Sequence, residues 1–169
     1  MTAERMTAGF ARVVLVTGMS GVGKSTVLAA LNQRGINAVD TDEGNWIDDV
    51  DGEPLWSIPL VTAMLDRQRD RPLVVQGTVA NQGQLYHRFD AVVLLTAPRA
   101  VILERLRNRI SSDYGKSPAE RLKVEQEIRD VEPVLRAGAT HVIDTSAPLA
   151  DVVAAVERIA RGLDVVPAE

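Results

Sequence analysis

The sequence predicts an α/β fold in three layers, a parallel sheet of five strands with helices packed on both faces. Short apolar runs rich in Val, Ile and Leu alternate along the chain with longer stretches of helical period. The first of these runs passes directly into Gly18-Met19-Ser20-Gly21-Val22-Gly23-Lys24-Ser25, a complete GxxxxGK[ST] phosphate-binding loop, and then into the helical Thr26-Val27-Leu28-Ala29-Ala30-Leu31.

Strands are expected at 12–17, 36–40, 72–77, 90–95 and 140–144. Continuous apolarity in the first, third and fourth implies burial on both faces. Helices are expected at 24–34, 55–70, 80–88, 98–110, 118–137 and 148–161. Ser117-Pro118-Ala119-Glu120 is a helix start in its own right, with Ser as cap, Pro at the first position and Glu closing a capping box. A chain of 169 residues suits one domain, taken as 12–162, with a flexible lead-in over 1–11 and a frayed tail over 163–169.

Composition removes several functions. A formal net charge of −4 with scattered arginines argues against a dedicated nucleic-acid binder. The absence of cysteine excludes disulfides, thiolate metal sites and cysteine nucleophiles, and suits a reducing cytoplasm. No apolar run reaches membrane-spanning length, and Met1 to Ala11 lacks the apolar core of a signal peptide. A cytoplasmic monomer or homodimer is expected, acting on a small molecule. His87 and His141 lack metal-ligand spacing, and Trp56 within a helical pattern reads as core.

The phosphate loop carries the most specific chemistry. Its glycines let backbone N–H groups turn inward around phosphate oxygens, and the following helix adds the positive end of its dipole. Lys24 is expected to reach the β- and γ-phosphates, with the Ser25 hydroxyl on Mg²⁺. Ligands of such sheets bind beyond the carboxyl ends of the strands, and there the sequence is polar: Asp40-Thr41-Asp42-Glu43, Gly77-Thr78-Val79-Ala80-Asn81-Gln82 and Asp144-Thr145-Ser146-Ala147-Pro148. Asp40 and Asp42, one residue apart at a strand end, are suited to holding Mg²⁺ through water and to accepting a proton from a hydroxyl. Asp49-Val50-Asp51-Gly52 spells a DxxG, but without a preceding apolar strand or an NKxD it reads as a turn.

From Arg12 to Gly162 the chain resembles the small P-loop kinases of metabolites and nucleotides. The phosphate loop, Asp40-Thr41-Asp42, Gly77 and Ile143-Asp144-Thr145 resemble shikimate kinases most closely. The resemblance implies strand order 2-3-1-4-5, Mg-ATP held by Gly18 to Thr26, an acceptor site over the second and third strands, and an Arg-bearing lid. It implies a magnesium-bound water on Asp40 and the acceptor hydroxyl at Asp42, with Gly77, Thr78, Asn81 and Gln82 lining the acceptor site and Trp46 as a wall. Arg109 occupies the place of an arginine that stacks on adenine, and Asp144 to Pro148 that of the loop edging the base. A lid is expected over about 110–118, with Lys116 and Arg121 neutralising the transferring phosphoryl group. The helical Arg105, Arg107, Arg121 and Arg129 are otherwise solvated charges by default.

The departures bear on the acceptor. Gln76-Gly77-Thr78-Val79 stands where shikimate kinases carry three glycines, and Val131 where they carry a carboxylate-binding arginine. No Lys or Arg occurs from Gly35 to Asp66, a stretch holding Asp40, Asp42, Glu43, Asp48, Asp49, Asp51 and Glu53. An anionic acceptor would meet repulsion there, so an uncharged or cationic one is expected. A nucleoside monophosphate kinase and a nucleotide-dependent ATPase or switch are the alternatives.

Overall fold

The structure, a computed structural model, describes residues 11–109 and 116–163. The expected lead-in, most of the expected lid and the tail lie outside the described residues. β1 (Val13–Thr17) is central in a parallel five-stranded sheet with β2 (Asn37–Asp40), β5 (Leu73–Gln76), β6 (Ala91–Thr96) and β7 (His141–Asp144), in the order β2-β5-β1-β6-β7. This is the expected 2-3-1-4-5 order. The register runs Val13 to Val16 against Leu73 to Gln76 on one side, and Val14 to Thr17 against Ala91 to Leu94 on the other.

Side chains of β1 alternate between two cores, as the period of a strand requires. Val14 and Val16 face Val27, Leu28 and Leu31 of α1 (Lys24–Gln33), Ile102 and Leu106 of α3 (Arg99–Asn108) and Val152, Val153 and Val156 of α6 (Leu149–Ala160). Val13 and Leu15 face Trp56, Leu85, Phe89 and Val61, Met64 and Leu65 of α2 (Ile58–Asp66). Trp56 is core, 2 % exposed.

Three expected elements differ. The acid-rich run folds in part as a hairpin of β3 (Ile47–Val50) and β4 (Glu53–Trp56), turned by Asp51 and Gly52 at φ 55° and 83°. Two consecutive positive φ values are what a tight two-residue hairpin needs, and Asp-Gly supplies them, so the helix starts at Ile58 instead of 55. The expected helix at 80–88 is a 3₁₀ turn over Gln82–Arg88. The expected 118–137 helix is two, α4 (Pro118–Asp130) and α5 (Glu132–Gly138), because Pro133 cannot donate within a continuous helix. Ser117 caps α4 as expected, its Oγ accepting from Glu120 N at 3.2 Å.

Candidate active site

The loop from β1 to α1 is shaped by contacts that leave its backbone facing outward. Met19 and Val22 are anchored in the core, and Gly18 (φ 154°) passes so close to β6 that a Cβ would stand 2.5 Å from the Leu95 carbonyl oxygen. No side chain is tolerated there. The Thr78 hydroxyl accepts from Gly18 N (3.3 Å), donates to Gly18 O (2.8 Å) and lies 3.0 Å from Thr17 Oγ1. Thr78 therefore buttresses the loop while also lining the cleft beside it. Lys24 Nζ donates to the carbonyls of Gly18 (2.6 Å) and Met19 (3.1 Å).

Three adjoining clefts follow the loop. The first, about 410 Å³, is bounded by Gly21, Val22, Thr26, Arg105, Thr145 and Leu149, with Arg109 at its edge. The second, about 320 Å³, has Ser20, Lys24, Ser25, Thr26, Asp42, Gln76 and again Arg109. The third, about 340 Å³, is bounded by Gly18, Met19, Ser20, Lys24, Asp42 and Thr78, with Glu127 of α4 and Val131 just after it opposite. Shared residues join them into a track: Gly21, Gly23, Thr26 and Arg109 link the first two, and Ser20, Lys24 and Asp42 the last two. A base, a polyphosphate and an acceptor fit that succession.

The first cleft is held by Arg105, which the sequence alone leaves as a surface charge. Its guanidinium donates to Val22 O (3.1 Å), Thr145 Oγ1 (2.9 Å) and Thr145 O (2.6 Å), while Thr145 Oγ1 donates to Val22 O (2.6 Å). The strap ties the phosphate loop to the loop after β7. Thr145, Ala147 and Leu149 of that loop bound the cleft; Asp144 and Pro148 do not. Asp144 is exposed and accepts from Ser146 Oγ (2.6 Å) and N (2.8 Å), which hold its carboxyl below the usual carboxylate range.

Around the second cleft the charges are coupled. Burial, reinforced by the nearby Arg109, pushes the Lys24 ammonium down to about 8, against the opposing pull of Asp42 and Asp40. Asp42 is pushed up, by burial of its protein-facing side and then by the negative charge of Asp40, with Lys24 acting the other way. Asp40 Oδ1 accepts from Asp42 N at 2.9 Å and Asp40 bounds none of the three clefts. Ser25 is exposed in the second cleft. Oxygen donors beside a phosphate site suit Mg²⁺, which takes few protein ligands and completes its shell with phosphates and water.

Among the residues expected to line an acceptor site, the structure separates lining from support. Asn81 brackets Trp56, its Oδ1 accepting from Trp56 N (2.9 Å) and its Nδ2 donating to Trp56 O (3.1 Å). Gln82 is buried, with bonds to Val79 N, Thr17 Oγ1 and Tyr86 Oη. At Gly77 a Cβ would stand 2.7 Å from both Thr41 Oγ1 and the Trp56 ring, so Gly77 permits the Trp56 Nε1 bond to Thr41 (2.9 Å). Trp46 is half-buried against the core that holds Trp56, outside the three clefts. The exposed Lys116 and Arg121 bound none of them either. Gln76, Arg105 and Glu127 are polar cleft residues to which sequence reasoning gave no site role.

A phosphate loop at the end of the central strand of a 2-3-1-4-5 parallel sheet, with clefts on either side of it, is the architecture of the P-loop kinase fold. The chain belongs to the AAA domain family (AAA_18), whose model matches residues 14–133. An Archaeoglobus fulgidus protein named "Putative adenylate kinase" is 31% identical over 159 residues, 89% of this chain and 83% of that one. Among solved structures, shikimate kinase from Acinetobacter baumannii in complex with shikimate superposes with a TM-score of 0.66 at 18% identity, covering 95% of this chain and 99% of that one. A gluconokinase from Sinorhizobium meliloti superposes with a TM-score of 0.56 at 24% identity, covering 91% and 96%. At these identities the structural likeness is one of fold.

Proposed function

We propose that residues 12–162 form a cytoplasmic kinase that transfers the γ-phosphoryl group of ATP to a hydroxyl of a small, uncharged or cationic acceptor. The observation that carries this reading is the third cleft: Asp42 and Glu127 face it, no arginine among the described residues bounds it, and its one cation, Lys24, belongs to the phosphate loop. Asp48, Asp49, Asp51 and Glu53, which motivated the expectation from sequence, are exposed and bound none of the three clefts. The acidity comes instead from Asp42 and from α4.

In this reading the base lies in the first cleft between Arg105 and Leu149, and the phosphates lie along Gly18 to Thr26 with Lys24 and Arg109 beside them. Mg²⁺ would be held by Ser25, the phosphates and a water on Asp40, where it neutralises phosphate charge. Asp42 orients the acceptor hydroxyl and takes its proton. Its raised proton affinity suits a group that must receive a proton. Lys116, Arg121 and the segment 110–118 remain candidates for closing over the phosphates.

A second reading, a nucleoside monophosphate kinase, is favoured by the name of the Archaeoglobus relative. Coupled ADP release, screened against polyols, aminosugars, nucleosides, shikimate and monophosphates, separates the two. Turnover of a neutral or amino-bearing acceptor is expected. Turnover confined to monophosphates would establish the second reading, and slow hydrolysis that no acceptor accelerates would leave an ATPase or switch.

A further inference from the structure

Gln76 ends β5 in a position that an apolar residue would fill at lower cost. The strand before it is Leu73, Val74 and Val75, all buried, and Gln76 is itself 1 % exposed. Its backbone is fixed, since Gln76 O accepts from both Thr41 N (3.1 Å) and Thr41 Oγ1 (2.7 Å). Its side chain nevertheless bounds the second cleft with Lys24, Ser25 and Asp42. Nε2 lies 3.4 Å from Asp42 Oδ2, a long hydrogen bond, and Oε1 has no partner among the described residues. A buried carbonyl left without a partner is destabilising. The amide is oriented by charge: turned the other way, Oε1 would oppose the Asp42 carboxylate.

Among the described residues no other side chain donates to Asp42; its own N–H is taken by Asp40. We propose that Gln76 is a positioning residue, whose amide N–H holds one oxygen of Asp42 and leaves the other to receive the acceptor hydroxyl. The role given to that second oxygen rests on the kinase reading above; the contact itself does not. In the step concerned the acceptor oxygen bonds to the γ-phosphorus as the bond to the ADP oxygen breaks, and the hydroxyl proton passes to the free oxygen of Asp42.

Asp42 is faced by Asp40 and Glu43 of its own loop, Lys24 at the head of α1, Arg109 after α3 and Glu127 on α4. Burial and the neighbouring carboxylates favour the protonated form, with Lys24 acting the other way. The Gln76 amide supplies a neutral donor without adding a second cation beside Lys24. A lysine here would compete for the phosphates, and a leucine would leave the carboxylate unguided.

The test reads the Gln76 side-chain amide by ¹⁵N–¹H NMR in the wild type and Asp42→Asn, and compares kcat, acceptor KM and ATP affinity of the wild type, Gln76→Met and Gln76→Glu with an acceptor from the screen. The amide resonance is expected to move when the carboxylate is lost. In Gln76→Met kcat should fall about tenfold, and further in Gln76→Glu, whose carboxylate repels Asp42, while ATP affinity stays within about threefold. Should Gln76→Met fail to fold, the isosteric Gln76→Glu carries the same test. An amide resonance unmoved in Asp42→Asn, or kcat of both folded variants equal to the wild type, would overturn the proposal. A moved resonance in a protein that turns over no acceptor would overturn the kinase reading and leave the Gln76 contact standing.

Discussion

The two ends of the track are built differently. On the nucleotide side, contiguous sequence does nearly all the work: Gly18 to Thr26 is one stretch, and Arg105 and Thr145 tie it down with hydrogen bonds of 2.6–3.1 Å. On the acceptor side, Asp42, Gln76, Thr78 and Glu127 come from three separate segments, and the contact between Asp42 and Gln76 is a loose 3.4 Å. A phosphate is the same in every substrate, so its cradle can be rigid and written as a motif. An acceptor differs from one kinase to the next, and the residues that read it are set by packing. The contrast predicts that changes on the nucleotide side abolish binding and chemistry together, whereas those on the acceptor side separate them.

The largest effect is expected for Lys24→Met. Loss of the cation at the transferring group should lower kcat/KM by about 10³-fold or more. Because burial disfavours the ammonium, the fold should survive with a melting temperature unchanged or raised. Turnover like that of the wild type would remove Lys24 from the chemistry. Next, Asp42→Asn should cut kcat by roughly 10²-fold while ATP affinity stays within a few-fold. An equal loss of ATP affinity would erase the distinction between the two sides and move Asp42 to the metal.

A packing change sharpens the contrast from the other direction. Gly77→Ala pushes a Cβ against Thr41 and Trp56, so urea unfolding should show a loss of about 1–3 kcal/mol, with the remaining folded protein still binding ATP. Full stability in that variant would mean that the Thr41–Trp56 contact is loose. A further effect on the nucleotide side is that of pH on affinity. The Lys24 pKa of about 8 lies below its ordinary 10.5, so between those values the native protein binds fewer protons than the unfolded chain. The stability deficit is full below pH 8 and is relieved as pH rises toward 10.5. Bound phosphates favour the ammonium, so ATP affinity should be lost above pH 8, by up to roughly tenfold per unit, with proton uptake on binding measurable by calorimetry in buffers of different ionisation heat. Affinity flat from pH 7 to 10 would contradict the buried, responsive lysine.

Much of this was readable from sequence because it is local. The phosphate loop and the cap at Ser117 each depend on a few adjacent residues, and the strand order was implied by the family resemblance those local motifs carry. The hairpin of Ile47–Val50 and Glu53–Trp56 carried a local signal too, since Asp49 to Gly52 reads as a turn, but the short acidic runs around it lack the apolar pattern that marks strands. Arg105 and Glu127 had no such signal. On a helix each is one charge among several, and only packing against Val22 and Thr145, or across the cleft from Asp42, distinguishes it from Arg107 or Glu125. Asn81 and Gln82 show the converse, polar residues at a strand end whose amides are committed to Trp56 and Thr17.

The central claim is that acceptor charge is read by Asp42 and Glu127 across the third cleft, and charge reversal at Glu127 tests it most directly. With amino-bearing, neutral and phosphate-bearing acceptors compared by ADP release in the wild type and Glu127→Lys, the amino acceptor should lose roughly tenfold in kcat/KM, the neutral one little, and the anionic one should gain. The KM for ATP should not move. If all three acceptors respond alike, or if the wild type already prefers the phosphate-bearing one, the acceptor side does not read charge in the way described.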